Sequence, residues 1–136
     1  MDIKRFKHQH VDILQRIDAL RKLSHDGVAV NAHTIAQQIK DLGKVVNLHL
    51  AIEDRILYPA VRQAADARIA AMGQAYQEEM KGIANTYIRF TNTWSDPARV
   101  AAEPDAFRDA ANTVLKMVYQ RMQRENREFY PAIESI

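Results

Sequence analysis

Apolar side chains recur every three or four residues along most of this chain, and four such stripes can be followed through it. The first covers roughly residues 2–23 and runs Ile3, Phe6, His10, Ile13, Ile17, Leu20. The second, over about residues 33–58, runs Ile35, Ile39, Leu42, Val46, His49, Glu53, Ile56. The third, over about residues 66–90, carries Ile69, Gly73, Tyr76, Met80, Ile83, Tyr87 and Phe90. The fourth starts at Pro104 or Asp105, ends near Tyr130, and carries Phe107, Ala111, Val114, Val118, Arg121, Glu125 and Glu128. A repeat of this period keeps one side of a helix turned to a core, so each stripe predicts an amphipathic helix. A loop with Ser24, Asp26, Gly27 and Asn31 parts the first two, and Thr91 to Glu103, with Trp94, Asp96 and Pro97, reads as the longest irregular segment. Asp96 or Asp105 can cap a helix start there. Four stripes of this length predict an all-α, up-down-up-down four-helix bundle, one domain over residues 1–136.

Composition narrows this picture. With 47% hydrophobic and 26% charged residues, 136 residues can bury a core without staples, and disorder is excluded. Glycine and proline number only four each, which leaves little turn material and favours a few long helices. The absence of cysteine removes disulfide scaffolds, thiolate zinc sites, iron–sulfur clusters and thiol nucleophiles. The polar, basic stretch Met1 to His10 has no apolar run behind it, so no leader peptide is expected. No stretch approaches the roughly 20 apolar residues of a membrane span, and a cytoplasmic protein is the default expectation. The net charge is +2, with lysine and arginine interspersed among acids, unlike a nucleic-acid groove or a polybasic membrane patch. The serines, Ser24, Ser95 and Ser135, lie in loops or near the terminus, and no glycine-rich phosphate loop is present. Nothing here points to a hydrolase or transferase.

The chemistry lies in polar residues that interrupt the stripes. His10, His49, Glu53, Arg121 and Glu125 stand where a core residue is expected. One such residue is commonly a hydrogen-bonded core side chain, but five from three helices call for pairing or a metal, because buried charge is costly. His8 is off its seam, and His25 and His33 flank the first loop, so these three read as surface side chains. Tyr58, Tyr76, Tyr87 and Tyr130 read as core aromatics whose hydroxyls reach a partner; the sharper alternative is a tyrosine that ligates or exchanges electrons with a metal. Met72, Met80, Met117 and Met122 read as core filler.

An internal repeat organises these residues. Glu53, Arg55, Tyr58, Pro59 and Ala60 have counterparts in Glu125, Arg127, Tyr130, Pro131 and Ala132. Leu57 with Phe129, and Val61 with Ile133, are apolar in both copies. Each proline reads as a helix terminator. Two duplicated αα-hairpins follow, the first contributing His10, His49 and Glu53 and the second Met80, Arg121 and Glu125. His49 and Glu53 are four apart and share a helix face.

On these residues the chain resembles the hemerythrin-like (HHE cation-binding) family over nearly its whole length. The likeness rests on His10, on His49-Leu-Ala-Ile-Glu53 with Leu57-Tyr58-Pro59, on the acidic Glu78-Glu79-Met80, and on Glu125 with Phe129-Tyr130-Pro131. It implies a helical bundle with two irons, one on the first two helices' histidines and the other on the last two helices' histidines, both bridged by the glutamates. Carried over, His10, His49, Glu53 and Glu125 make a full set for the first ion, whereas Met80 and Arg121 replace the second ion's histidines. A thioether is a poor ligand for iron and a guanidinium is none. That speaks against two-iron oxygen carriage, which draws an electron from each iron.

Two pairs of alternatives stay open. Arg121 either stands in for the second metal's charge, gripping Glu53 or Glu125 bidentately, or swings out to solvent. The protein either holds one non-haem iron, with a small diatomic ligand such as oxygen or nitric oxide as its signal, or has lost metal and serves as a structural or interaction module. In the second case Arg121 is locked onto Glu53 and Glu125 while His10 faces His49. Leu115, Tyr119 and Met122, beside the fourth seam, would then support pairing with another helix, a homo-oligomer included.

Overall fold

The computed structural model describes residues 2–136, which form helices and short turns with no strand among them. In chain order the helices are α1 (Lys4–Asp26), α2 (Ala32–Ile52), α3 (Tyr58–Arg62), α4 (Ala67–Trp94), α5 (Pro97–Ala102), α6 (Pro104–Arg124) and α7 (Tyr130–Glu134). Single π-helical turns, Glu53–Leu57 and Glu125–Phe129, join α2 to α3 and α6 to α7. The four long helices close a ring: α1 packs on α2 and α6, and α4 packs on the same two. This is the predicted helical bundle.

Local sequence sets the turns. α1 stops at Gly27, whose φ of 137° lies in the left-handed region that a side chain would strain. Asn31 then donates its side-chain amide to the Gly27 carbonyl at 2.8 Å, fixing the corner. Asp66 caps α4 by accepting the Arg68 N–H at 2.9 Å, and Asp96 caps α5 through the Ala98 N–H at 3.0 Å.

The structure departs from the expected pattern in four places. Thr91 to Glu103 is not a long irregular stretch, because α4 continues to Trp94 and the Asp96–Pro97 start builds α5 within it. Trp94 and Val100 are buried, so this segment closes one end of the core. Pro59 and Pro131 do not end their helices. The Tyr58 and Tyr130 N–H groups bond back five residues, to the Glu53 and Glu125 carbonyls, and the widened turn carries each helix past the proline. The same turns rotate Ile56 and Glu128 off the seam into solvent and bury Leu57, Tyr58, Phe129 and Tyr130 instead. Leu115 and Met122 belong to the chain's own core and leave Tyr119 as the partly exposed member of that trio.

Two apolar clusters fill the bundle. One contains Ile13, Ile17, Leu42, Val46, Phe90, Phe107, Val118 and Met122, and the other Ile3, Phe6, Ile52, Leu57, Tyr76, Phe129 and Tyr130. Along α1, α2 and α6 the five polar intrusions fall between residues of the first cluster and residues of the second. A buried polar layer therefore divides the core.

Candidate metal centre

His10, His49, Glu53 and Glu125 come together in that layer, each at most 1% exposed. Each offers one ligand atom, and these atoms lie within 4.8 Å of one another. The helices aim them inward from several sides: α1 presents His10, the last turn of α2 presents His49, and the two π-turns open with Glu53 and Glu125. His10 Nε2 is 3.1 Å from His49 Nε2 and 3.4 Å from Glu125 Oε1, and His49 Nε2 is 2.5 Å from Glu53 Oε1.

Both imidazoles are oriented by their other nitrogen. His10 Nδ1 lies 2.8 Å from Asn126 Oδ1, and His49 Nδ1 lies 2.6 Å from Gln9 Oε1. An amide oxygen only accepts, so Nδ1 carries a proton in each ring and Nε2 is the nitrogen turned to the centre, in His49 as the donor to Glu53 Oε1 where no metal competes for it. Gln9 and Asn126 were not legible as site residues, since each sits one place off the apolar seam, beside His10 and Glu125 respectively. Neutral imidazole is the form that ligates, and burial holds His10 below the ordinary histidine value despite opposing help from Asn126 and Glu53.

The two carboxylates differ. Burial pushes Glu53 up most strongly, yet the hydrogen bond and charge of His49, together with the Tyr58 hydroxyl at 2.9 Å, bring it below its usual value. Glu125 is held well above the ordinary carboxylate range by burial first and by the Glu53 charge second. Both Glu125 oxygens are buried, and among the described residues neither has a hydrogen-bond partner. A buried carboxylate without a hydrogen bond, facing two imidazole nitrogens and a second carboxylate, suits a cation, so the donors present fit a metal ion.

Arg121 stays inside the layer, beside Glu125, rather than at the surface. It is buried, at 2% exposure, so it does not swing out. Nor does it grip Glu53 or Glu125 bidentately. Its Nη1 donates to Glu79 Oε1 at 3.1 Å, and its Nη2 to the Tyr76 carbonyl at 2.7 Å and the Tyr58 hydroxyl at 3.2 Å. Nε remains 3.8 Å from Glu125 Oε1, an ion-pair distance without a hydrogen bond. The guanidinium also lies over the Tyr76 ring, 4.4 Å from its centroid. Glu79 is thus the main counter-charge, shared with Arg124 at 2.8 Å. It lies on the exposed side of α4, where a sequence gives no reason to separate it from other solvated acids. Met80 is buried and lines a small apolar recess with Leu50, Tyr87, Val118 and Arg121. His8, His25 and His33 are exposed, as expected.

The family model of the hemerythrin HHE cation-binding domain matches residues 1–133. No curated protein and no solved structure matches the chain. Among the described residues no helix is long and apolar enough to cross a membrane.

Proposed function

The chain belongs to the hemerythrin HHE cation-binding family, and from that membership we propose that it binds one non-haem iron ion through His10, His49, Glu53 and Glu125. The observation that carries this reading is Glu125, a carboxylate with no exposed surface and no hydrogen bond, aimed at three other donor groups. Without a metal ion it must keep a proton or bear a charge met only by the Arg121 guanidinium, 3.8 Å away and without a hydrogen bond. Two imidazoles and two carboxylates are the mixed nitrogen and oxygen set that iron accepts. When bound, iron supplies a redox couple and positions open to a small diatomic ligand such as oxygen or nitric oxide, which makes a binding or sensing module the best reading. Gln9 and Asn126 hold the imidazoles in the ligating tautomer, and Tyr58 steadies Glu53 from behind. Arg121, with Met80 beside it, fills the place a second ion would need and keeps the site to one.

A competing reading, a bundle that holds no metal, has one observation in its favour. The two Nη groups of Arg121 already have acceptors in Glu79, Tyr76 and Tyr58, with no second metal needed. Thermal melting separates the two. Anaerobic addition of ferrous iron is expected to raise the Tm of the metal-free protein, since an ion held only by the folded state stabilises it by about 2.7 kcal/mol at a hundredfold excess over Kd. His49→Ala is expected to abolish the rise. A parent Tm that does not respond to iron contradicts the metal reading.

A further inference from the structure

The repeat places Tyr58 and Tyr130 at equivalent positions, directly after the two π-turns, yet their hydroxyls do different things. Tyr58 donates to Glu53 Oε2 at 2.9 Å and accepts from Arg121 Nη2 at 3.2 Å, so its oxygen is committed to the arginine side of the layer. The Tyr130 oxygen lies on the other side. It is 2.9 Å from His10 Nε2 and 3.2 Å from Glu53 Oε1, two of the atoms proposed above as metal ligands. Its ring stacks on His10 with centroids 5.0 Å apart and planes at 29°, and the residue has no exposed surface.

These spacings have a common meaning. Two donors in adjacent positions around one ion, each at about 2.1 Å from it, are roughly 3 Å apart. The distances from His10 to His49, from His10 to Glu125, from Tyr130 to His10 and from Tyr130 to Glu53 run from 2.9 to 3.4 Å. The Tyr130 hydroxyl has one proton and faces two acceptors, His10 Nε2 and Glu53 Oε1, so it can satisfy only one of them. An ion in place of that proton would satisfy both acceptors and the phenol oxygen together.

We propose that Tyr130 is a fifth ligand, binding ferric iron as a phenolate, while Tyr58 is not a ligand. This rests on the metal reading given above. On binding, the Tyr130 O–H bond breaks and the proton that burial keeps on Glu125 is released with it, both leaving to solvent, and the phenol oxygen's electron pair forms the bond to the added ferric ion. Glu53, Glu125 and the phenolate then carry three negative charges, matching a ferric ion and leaving a neutral buried site. A hard anionic oxygen favours ferric over ferrous iron.

The test is to add a ferric salt, as ferric citrate, to the metal-free protein, remove the excess, and record metal content, visible absorption and resonance Raman spectra. Parent, Tyr130→Phe and Tyr58→Phe proteins are compared. The expected result is an intense phenolate-to-ferric charge-transfer band with enhanced phenolate ring modes in the parent. The band persists in Tyr58→Phe and is lost in Tyr130→Phe, which keeps its iron. Should Tyr130→Phe take up no iron, persistence of the band in Tyr58→Phe still assigns it to Tyr130, and its disappearance there overturns the assignment. Bound iron without the band, or a band that survives in Tyr130→Phe, overturns the tyrosine ligand and leaves the four-donor site standing. A parent that takes up no iron overturns the metal reading and this inference with it.

Discussion

At the residue scale, the layer that divides the core is governed by where protons sit. Glu125 is the least compensated group in it, with its carboxyl raised well above 4.5 by burial and by Glu53. A group whose folded-state pKa is raised contributes stability that is full below its unfolded value and is lost as pH climbs through the folded one. The metal-free protein is therefore expected to lose stability as pH rises above that carboxylate range. His10, lowered by burial, acts in the opposite sense, adding stability as pH rises toward 6.5 and nothing further beyond it. The His10 effect is common to parent and Glu125→Gln proteins, so the difference between them isolates Glu125. Chemical denaturation of both metal-free proteins, followed upward in pH from the ordinary carboxylate range, is the check. The parent curve should fall relative to the variant's; parallel curves mean that Glu125 is not the strained group. His10, His49, Glu53 and Glu125 were legible as candidates because a polar residue on an apolar stripe is informative. Gln9, Asn126 and Glu79 were not, because a polar residue off the stripe is what any helix surface shows, and only the three-dimensional pairing marks them out.

At the element scale, period analysis located the four long helices and missed the two π-turns. A 3.6-residue period holds only where the ladder is unbroken, so it places Ile56 and Glu128 on the seam and makes the prolines stops, whereas the π-turns shift both. The sign that was present is the repeat itself, glutamate followed five residues later by Tyr-Pro, with the five-residue step that a π-turn needs. The first of these joined helices also sets how closely α4 can approach. A Cβ on Gly73 would stand 2.5 Å from Val61 Cγ1, and a β-branched side chain has little room to yield. At Gly82, in the same helix, nothing lies within 4 Å of that position. Alanine gains up to about 1 kcal/mol over glycine inside a helix, whereas overpacking costs about 1–3 kcal/mol. Gly82→Ala is thus expected to raise the Tm and Gly73→Ala to lower it. Both rising would show that α4 has slack against Val61.

At the scale of the whole molecule, two duplicated hairpins have taken different routes at equivalent places. The first presents His10 and His49 to the centre, and the second presents Met80 and Arg121. The bundle tolerates this because the arginine has a surface carboxylate, a backbone carbonyl, a hydroxyl and an aromatic face to meet it. A buried guanidinium so held is costly to displace, since removing one member of a buried charged network leaves the others unpaired, at about 3–5 kcal/mol. On the proposed reading the half with histidines holds the metal and the half with arginine takes no second ion.

The most direct measurement of this division is metal content per chain, by elemental analysis of protein purified from iron-supplemented medium, for the parent and for Met80→His/Arg121→His. One iron per chain in the parent and two in the double variant is the predicted result. No iron in the parent, or two in the parent, would contradict the account: the first removes the centre and the second removes Arg121 as the group that closes its other half.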